Sequence, residues 1–153
     1  IEGPIGQFAY RPSEAPLLLV AGGTGYAPIK SLLRHVLETG NTRQVRLYWG
    51  AREAPDLYED AQLLQWMAAW PQLRYAAVLS EATVSHAPHQ RLGWVHEAVL
   101  ADLPSLAGWD IYAAGPPALV EAVRTRFPAH GAAMERLFFD SFDYAPRSDT
   151  PGT

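Results

Sequence analysis

The sequence predicts an open, doubly wound parallel β-sheet of about five strands with helices on both faces, and three observations lead there. Leu17-Leu18-Leu19-Val20 is a continuous apolar run rather than an alternating one, the mark of a strand covered on both faces. It breaks into Gly22-Gly23-Thr24-Gly25 and opens directly onto an amphipathic helix. Beyond it, short strand-like runs alternate with helical patterns, which calls for right-handed crossovers between parallel strands and hence a Rossmann-like α/β architecture.

The elements follow in order. Pro28 suits a first helical position, Ile29, Leu32, Leu33, Val36 and Leu37 recur along one face, and Gly40 ends the helix. Gln44 to Gly50 is a second strand rich in aromatic and branched residues. Asp56, with Glu59 in the reciprocal position, is expected to cap the next helix, whose apolar stripe (Ala61, Leu63, Leu64, Met67, Ala68) runs up to Pro71. Leu73 to Leu79 is a third strand. Ser80 to Leu92 lacks periodicity and reads as a long loop able to cover a ligand. Its His86 and His89 have the spacing of some metal sites but no third ligand in a fixed element, so they are expected to be solvated and no metal site is assigned. Gly93 to Leu103 is a third helix and Asp110 to Ala114 a fourth strand. Gly115-Pro116-Pro117 then opens a fourth helix to Phe127, and Leu137-Phe138-Phe139 is a short fifth strand.

Composition narrows the function classes. At 153 residues, 48% hydrophobic and 18% charged, the chain is long enough for one domain with a sizeable core. A formal charge of −4 argues against a nucleic-acid surface or a polybasic membrane contact. The absence of cysteine excludes disulfides, thiolate metal sites and cysteine nucleophiles, and fits a reducing, cytoplasmic setting. No apolar run approaches the roughly 20 residues of a membrane span.

The glycine turn carries the chemistry. Glycines let a backbone approach an anion closely, and the first N–H groups of the following helix, with its dipole, aim positive charge at it. Two better-known phosphate loops do not match. Gly25 is followed by Tyr26 rather than by the lysine of a P-loop, and the sixth place counted from Gly23 is Pro28 rather than the glycine of the ordinary dinucleotide fingerprint. In open parallel sheets ligands bind outside the carboxyl ends of the strands. Gly22 to Tyr26, Gly50 to Glu53, Ser80-Glu81 and Gly115 to Pro117 all fall at such ends and are expected to share one rim.

These residues, as Gly22-Gly23-Thr24-Gly25-Tyr26-Ala27-Pro28, Tyr48-Trp49-Gly50-Ala51-Arg52 with Asp56-Leu57-Tyr58, Ala114-Gly115-Pro116-Pro117 and Phe139-Asp140-Ser141-Phe142, form four ordered motifs at matching spacing. In them the chain resembles the NAD(P)H-binding domain of the ferredoxin–NADP reductase superfamily, in its flavin reductase and oxygenase-reductase branches. The opening Gly3-Pro4-Ile5-Gly6-Gln7-Phe8 is similar to the last strand of the flavin-binding barrel that precedes this domain in the family, whereas the family's Arg-x-Tyr-Ser flavin motif is not in the sequence. The expected organisation is therefore the tail of a flavin-binding barrel and a linker over 1–12, the NAD(P)H-binding domain over 13–145 and a flexible tail over 146–153.

The resemblance implies that the chain, as part of a longer flavin-dependent oxidoreductase, passes hydride from NADH to FAD or FMN and electrons onward to an acceptor. FAD or FMN would be held mainly by the upstream flavin-binding domain, and the fragment alone would be inactive. It implies cofactor-binding roles for Gly22, Gly23, Thr24, Gly25, Tyr26, Ala27, Pro28, Arg52, Ser80, Glu81, Gly115, Pro116 and Pro117, and roles nearer the reacting atoms for Thr24, Ala114, Asp140, Ser141 and Phe142. Ala114 stands where many members carry cysteine. Ser80-Glu81 stands where NADPH-using members place serine and arginine, and a carboxylate there repels a 2′-phosphate and accepts from a 2′-hydroxyl. NADH is thus expected over NADPH, with Arg52 the residue able to admit NADPH. Electrons would leave to free flavin and oxygen, or through an iron–sulfur domain or protein to a terminal oxygenase or dehydratase. The competing reading is a nucleotide-binding regulatory module without hydride transfer.

Overall fold

A computed structural model of the chain describes residues 14–39, 43–85 and 87–141. The expected barrel tail and linker over 1–12, the tail over 146–153, Gly40, His86 and Phe142 lie outside the described residues. The elements are β1 (Leu17–Gly22), α1 (Tyr26–Glu38), β2 (Val45–Ala51), α2 (Asp60–Ala69), β3 (Leu73–Leu79), β4 (Gln90–Leu92), α3 (Val95–Asp102), β5 (Asp110–Gly115), α4 (Pro117–Arg126) and β6 (Leu137–Ser141).

All strands are parallel, in the order β4-β3-β2-β1-β5-β6. The chain winds outward from β1 through β2 and β3, then crosses back to β5 beside β1, so the order reverses between β1 and β5. That reversal divides the core. Leu17, Leu19 and Ala21 point to one face, where Ile29, Leu33 and Val36 of α1 and Leu63 of α2 cover them. Leu18 and Val20 point to the other, against Val99 of α3 and Val123 and Phe127 after the crossover. Every residue of β1 is buried, as its unbroken apolar run requires.

Four details differ from the expectations. The sheet has a sixth strand, β4, inside the segment read as a loop, where Gln90 to Leu92 pair with Ala77 to Leu79. Three residues are too few to show a period. Helix α1 begins at Tyr26, which puts Pro28 third in the helix; the leading N–H groups of a helix have no acceptor within it, so the missing donor costs nothing there. Asp56 does not cap α2. Its carboxylate accepts from the Glu53 N–H at 3.2 Å and closes a short 3₁₀ turn over Ala54–Asp56, while α2 starts at Asp60. His89 is not solvated: its Nε2 lies 2.9 Å from Asp60 Oδ1, and the same oxygen accepts from the Tyr75 hydroxyl at 2.6 Å.

Two polar clusters fasten parts of the sheet. At the amino ends of the strands the Arg43 guanidinium, buried just before β2, donates to Asp110 Oδ2 of β5 at 2.7 Å and to the Ala15 carbonyl at 2.6 Å. At the β4 end, Asp102 closes α3 by accepting from Arg91 of β4 and Tyr48 of β2, each at 2.7 Å. The hydrogen bond from Arg91 holds the Asp102 carboxyl below the usual carboxylate range, while burial, reinforced by Asp102, pushes the Tyr48 phenol up to about 12.

Removing one partner of a buried pair strands the other. Arg43→Ala is therefore expected to lower the unfolding free energy by about 3 kcal/mol, toward the low end for such pairs because Arg136 also reaches Asp110, at 3.3 Å; urea denaturation measures it. Asp102 works in the opposite pH direction from a base. Since its folded pKa is depressed, its contribution is complete above about pH 5 and is lost as the pH falls through the depressed value. The stability gap between the wild type and Asp102→Asn should be constant from neutrality to about pH 5 and close below it.

Candidate functional site

Strand β1 ends at Gly22, and Gly23–Gly25 make a single 3₁₀ turn before α1. Gly23 has φ +56°, in the left-handed region that only glycine enters readily. Gly25 lies against the end of β5, where a Cβ would run into the Ala114 carbonyl. Gly22 and Gly115 leave the sheet side by side across the β1/β5 reversal; a Cβ on either would come within 2.8 Å of Leu119 Cδ2. Gly50, next to the last residue of β2, has the same relation to Val95, at 2.9 Å. The strand ends are thus bare backbone because the helices behind them pack too closely to admit side chains.

Over these ends opens a cleft of about 1100 Å³, at the top of the size range of small-molecule sites. Its floor is apolar, from Val78, Val95 and Leu119. The turns after β1, β2 and β3 form one rim with Gly22, Gly23, Arg52, Glu53, Ser80 and Glu81, and Pro116 and Ala118 face them across it. Two backbone bonds of 2.9 Å, from Ser80 N–H to the Ala51 carbonyl and from Glu81 N–H to the Arg52 carbonyl, hold the second and third turns side by side.

The rim therefore gathers the turns the sequence singles out. Arg52 and Glu81 are exposed on it, and among the described residues no ion pair engages Arg52. Pro116 precedes α4 and Pro117 opens it; neither has an N–H, so Ala118 carries the first one there. Asp140 and Ser141 lie on β6, in register with Ala114 and Gly115, which brings the chain's described end to the same rim. Ala27 is exposed and Pro28 buried, both in the first turn of α1. Thr24 is placed by its backbone in the 3₁₀ turn.

Two expected site residues turn inward. The Tyr26 ring is fully buried and stacks on Trp49 at 4.0 Å, and burial, helped by Glu59, raises its phenol pKa. Only its backbone faces the turn. The Ala114 methyl is likewise fully buried in the core under α1, with its carbonyl beneath Gly25, so it serves as floor rather than as a surface that a ligand touches.

The cleft also uses residues that motif reading passed over. Trp94 is 60% exposed on its wall, after Gly93 with φ +119° and immediately before α3. His96, Glu97 and Arg126 line the same wall. Burial, aided by Arg126 and opposed by Glu97, lowers the His96 pKa. Arg52 and Arg126 face Glu53, Asp56, Glu81 and Glu97 around the cleft, whose balance is acidic. Trp49 and Tyr58, which do stand in the sequence motifs, also meet here: Trp49 Nε1 donates to the Gly23 carbonyl at 3.1 Å, and Tyr58, 57% exposed at the cleft, meets the Trp49 ring edge-on at 5.1 Å. A glycine-tryptophan pair at a helix start was the available signal for Trp94. Arg126, at the far end of α4, had none.

Among the described residues no cluster of three or more histidine, aspartate and glutamate side chains could hold a metal ion, and no helix is long and apolar enough to cross a membrane.

Comparison with known proteins agrees with this geometry. Residues 19–125 match the family model of the oxidoreductase NAD-binding domain. The chain is 38% identical over 144 residues to a CDP-6-deoxy-L-threo-D-glycero-4-hexulose-3-dehydrase reductase of Yersinia pestis, covering 93% of this chain and 42% of that protein. It is 37% identical to the ferredoxin–NAD(P)(+) reductase component of naphthalene 1,2-dioxygenase/salicylate 5-hydroxylase systems of a Ralstonia species, covering 93% of this chain and 43% of the relative. Among solved structures, a reductase from Amycolatopsis superposes with a TM-score of 0.78 at 34% identity, over 86% of this chain and 38% of that one. The chain thus spans about two fifths of the length of the relatives it matches.

The glycines separate in a stability test. Gly25→Ala forces a Cβ into backbone and is expected to cost about 2–3 kcal/mol. Gly23→Ala meets no atom within 4 Å and bears only the left-handed strain, about 1–2 kcal/mol. Chemical denaturation of the two variants should preserve that order.

Proposed function

Because the chain belongs to the oxidoreductase NAD-binding domain family, we propose that it is the nicotinamide-dinucleotide domain of a flavin-dependent reductase that takes hydride from NADH and sends electrons on to a partner. One observation carries this reading: the Gly22–Gly25 turn lies at the strand-order reversal, beside Gly115, and opens on the 1100 Å³ cleft. Its residues fit a dinucleotide. The turn and the start of α1 offer backbone N–H groups to a diphosphate, and Pro116 and the β6 end flank the nicotinamide side. Arg52, Ser80, Glu81 and the exposed Trp94 ring surround the adenosine side, where a flat ring stacks on a base.

A flavin bound on a preceding domain supplies the two-electron acceptor for the nicotinamide hydride. The chain's own contribution is positional. No residue needs to move a proton; the turn and the strand ends hold the dinucleotide at both ends, so that its reacting carbon is presented in one orientation at the rim carrying Gly115 and Ser141. Thr24, Asp140 and Ser141 reach that rim by their backbone, Phe142 follows them in the sequence, and Ala114 supports the turn from below. The names of the relatives associate them with a dehydrase and with dioxygenase systems. We place this chain likewise as a reductase component, whose acceptor is an iron–sulfur protein or domain of an oxygenase or dehydratase.

The acidic cleft favours NADH, since a 2′-phosphate beside Glu81 meets a like charge. Glu81→Arg should raise the ratio of kcat/KM for NADPH over NADH by about tenfold or more, the effect of roughly 1.4 kcal/mol, measured by flavin reduction in the full-length protein. Mixing that protein with NADH in a single turnover should bleach the flavin absorbance. Binding without bleaching would instead mark a nucleotide-sensing module.

A further inference from the structure

We infer that Trp49 is the positioning residue of the phosphate turn: its indole N–H sets which way the Gly23–Thr24 peptide faces, and so whether the turn offers the ligand a donor or an acceptor. The inference rests on the reading of the cleft as a dinucleotide site. Trp49 is fully buried and belongs to the core on the α1 and α2 face of the sheet. The floor of the cleft, Val78, Val95 and Leu119, belongs to the core on the opposite face. The indole therefore reaches the Gly23 carbonyl, 3.1 Å away, from the α1 and α2 side of the sheet, opposite the apolar floor of the cleft.

A trans peptide unit is planar, with its C=O and N–H pointing in opposite directions, and no described peptide is cis. Drawing the Gly23 carbonyl toward Trp49 thus turns the Thr24 N–H away from it, to the side of the cleft floor. The 3₁₀ turn already engages the Gly23 carbonyl, so the indole N–H is a second donor that fixes its direction; losing that donor loosens a unit flanked by glycine, whose backbone crosses between regions at little cost. The reversed unit would present a carbonyl oxygen to a diphosphate. The indole is itself held in place, stacked on Tyr26 with an interplanar angle of 10° and touched edge-on by Tyr58. Since Tyr58 lines the cleft, a ligand resting on its ring bears on the same aromatic cluster that orients the turn.

The test is Trp49→Phe in the full-length, flavin-loaded protein, which keeps a buried ring and removes the donor. ADP-ribose probes the diphosphate, and AMP probes the adenosine side alone. The expected result is about a tenfold weaker affinity for ADP-ribose and a similar rise in KM for NADH, with AMP affinity and kcat at saturating NADH within about twofold of wild type. Unchanged ADP-ribose affinity overturns the inference, as does an equal loss for AMP and ADP-ribose, the signature of a loosened core. Should the variant not fold, the wild type carries the test through its ¹⁵N-labelled indole. The Trp49 N–H should exchange slowly and shift on addition of ADP-ribose but not of AMP, and a fast-exchanging or indifferent signal overturns the proposal. A wild-type protein that binds neither NADH nor ADP-ribose fails at the earlier step and removes the dinucleotide reading itself.

Discussion

The contact on which the rim depends is that of the β1–α1 turn with the end of β5. Gly25 lies on the Ala114 carbonyl with no room for a Cβ, and Gly22 and Gly115 run side by side where the sheet reverses its winding. Backbone packed on backbone gives the turn little latitude. Any side chain at Gly25 would lift the start of α1 from the sheet, and with it the N–H groups that make a helix N-terminus attractive to anions. Leu119 completes the arrangement from behind, filling the volume that Gly22 and Gly115 leave free. Fold and site are therefore the same constraint at this point, since the packing that seats α1 also strips the strand ends to bare backbone.

How much of this was legible in the sequence depended on the length scale of each signal. The unbroken apolar run of β1 and the repeat of Ile29, Leu33 and Val36 extend over several turns or strand positions, and both elements form where the pattern puts them. Strand β4 was invisible because Gln90 to Leu92 carry no alternation and gain their place only by pairing with β3. Asp56 shows a subtler failure. The spacing to Glu59 fits a capping box, but Glu53 lies at the same spacing on its other side and takes the carboxylate, so the local competitor won. The turns of the rim were readable because glycine and proline announce them, whereas Arg126 and His96 reach the cleft only through the packing of α3 beside α4. The inward turn of Tyr26 was hidden for a related reason. A residue next to a glycine turn looks ligand-facing in one dimension, and only the stack on Trp49 shows which way its ring went.

Charge divides the two ends of the sheet by task. At the amino ends, Arg43 and Asp110 neutralise each other out of water, a pairing that ties the segment before β1 to β2 and β5. Such a pair contributes little net free energy against apolar replacements but makes the alternative packings expensive, because each would bury a lone charge. At the carboxyl ends the charges are left open. Arg52 and Arg126 face Glu53, Asp56, Glu81 and Glu97 across a solvent-filled cleft, where they are screened and inexpensive to hold.

On the proposed reading, an acidic rim around a site for a doubly charged diphosphate looks self-defeating until the distances over which each group acts are separated. The diphosphate would be addressed by backbone N–H groups at hydrogen-bonding range, from a turn whose dipoles are fixed and need no reorganisation on binding. The carboxylates stand on the flanking turns, farther out, where water and salt attenuate them. Their effect falls on whatever extends past the diphosphate toward Ser80 and Glu81. A ribose hydroxyl would meet an acceptor there, and an additional phosphate a like charge. Affinity and discrimination would thus come from different parts of the cleft, and neither would have to be weakened for the other. The arrangement works only if the turn faces the ligand with its donors. A buried indole that holds one peptide plane, as proposed for Trp49, would then be a small device with a large effect, keeping the close-range attraction ahead of the longer-range repulsion.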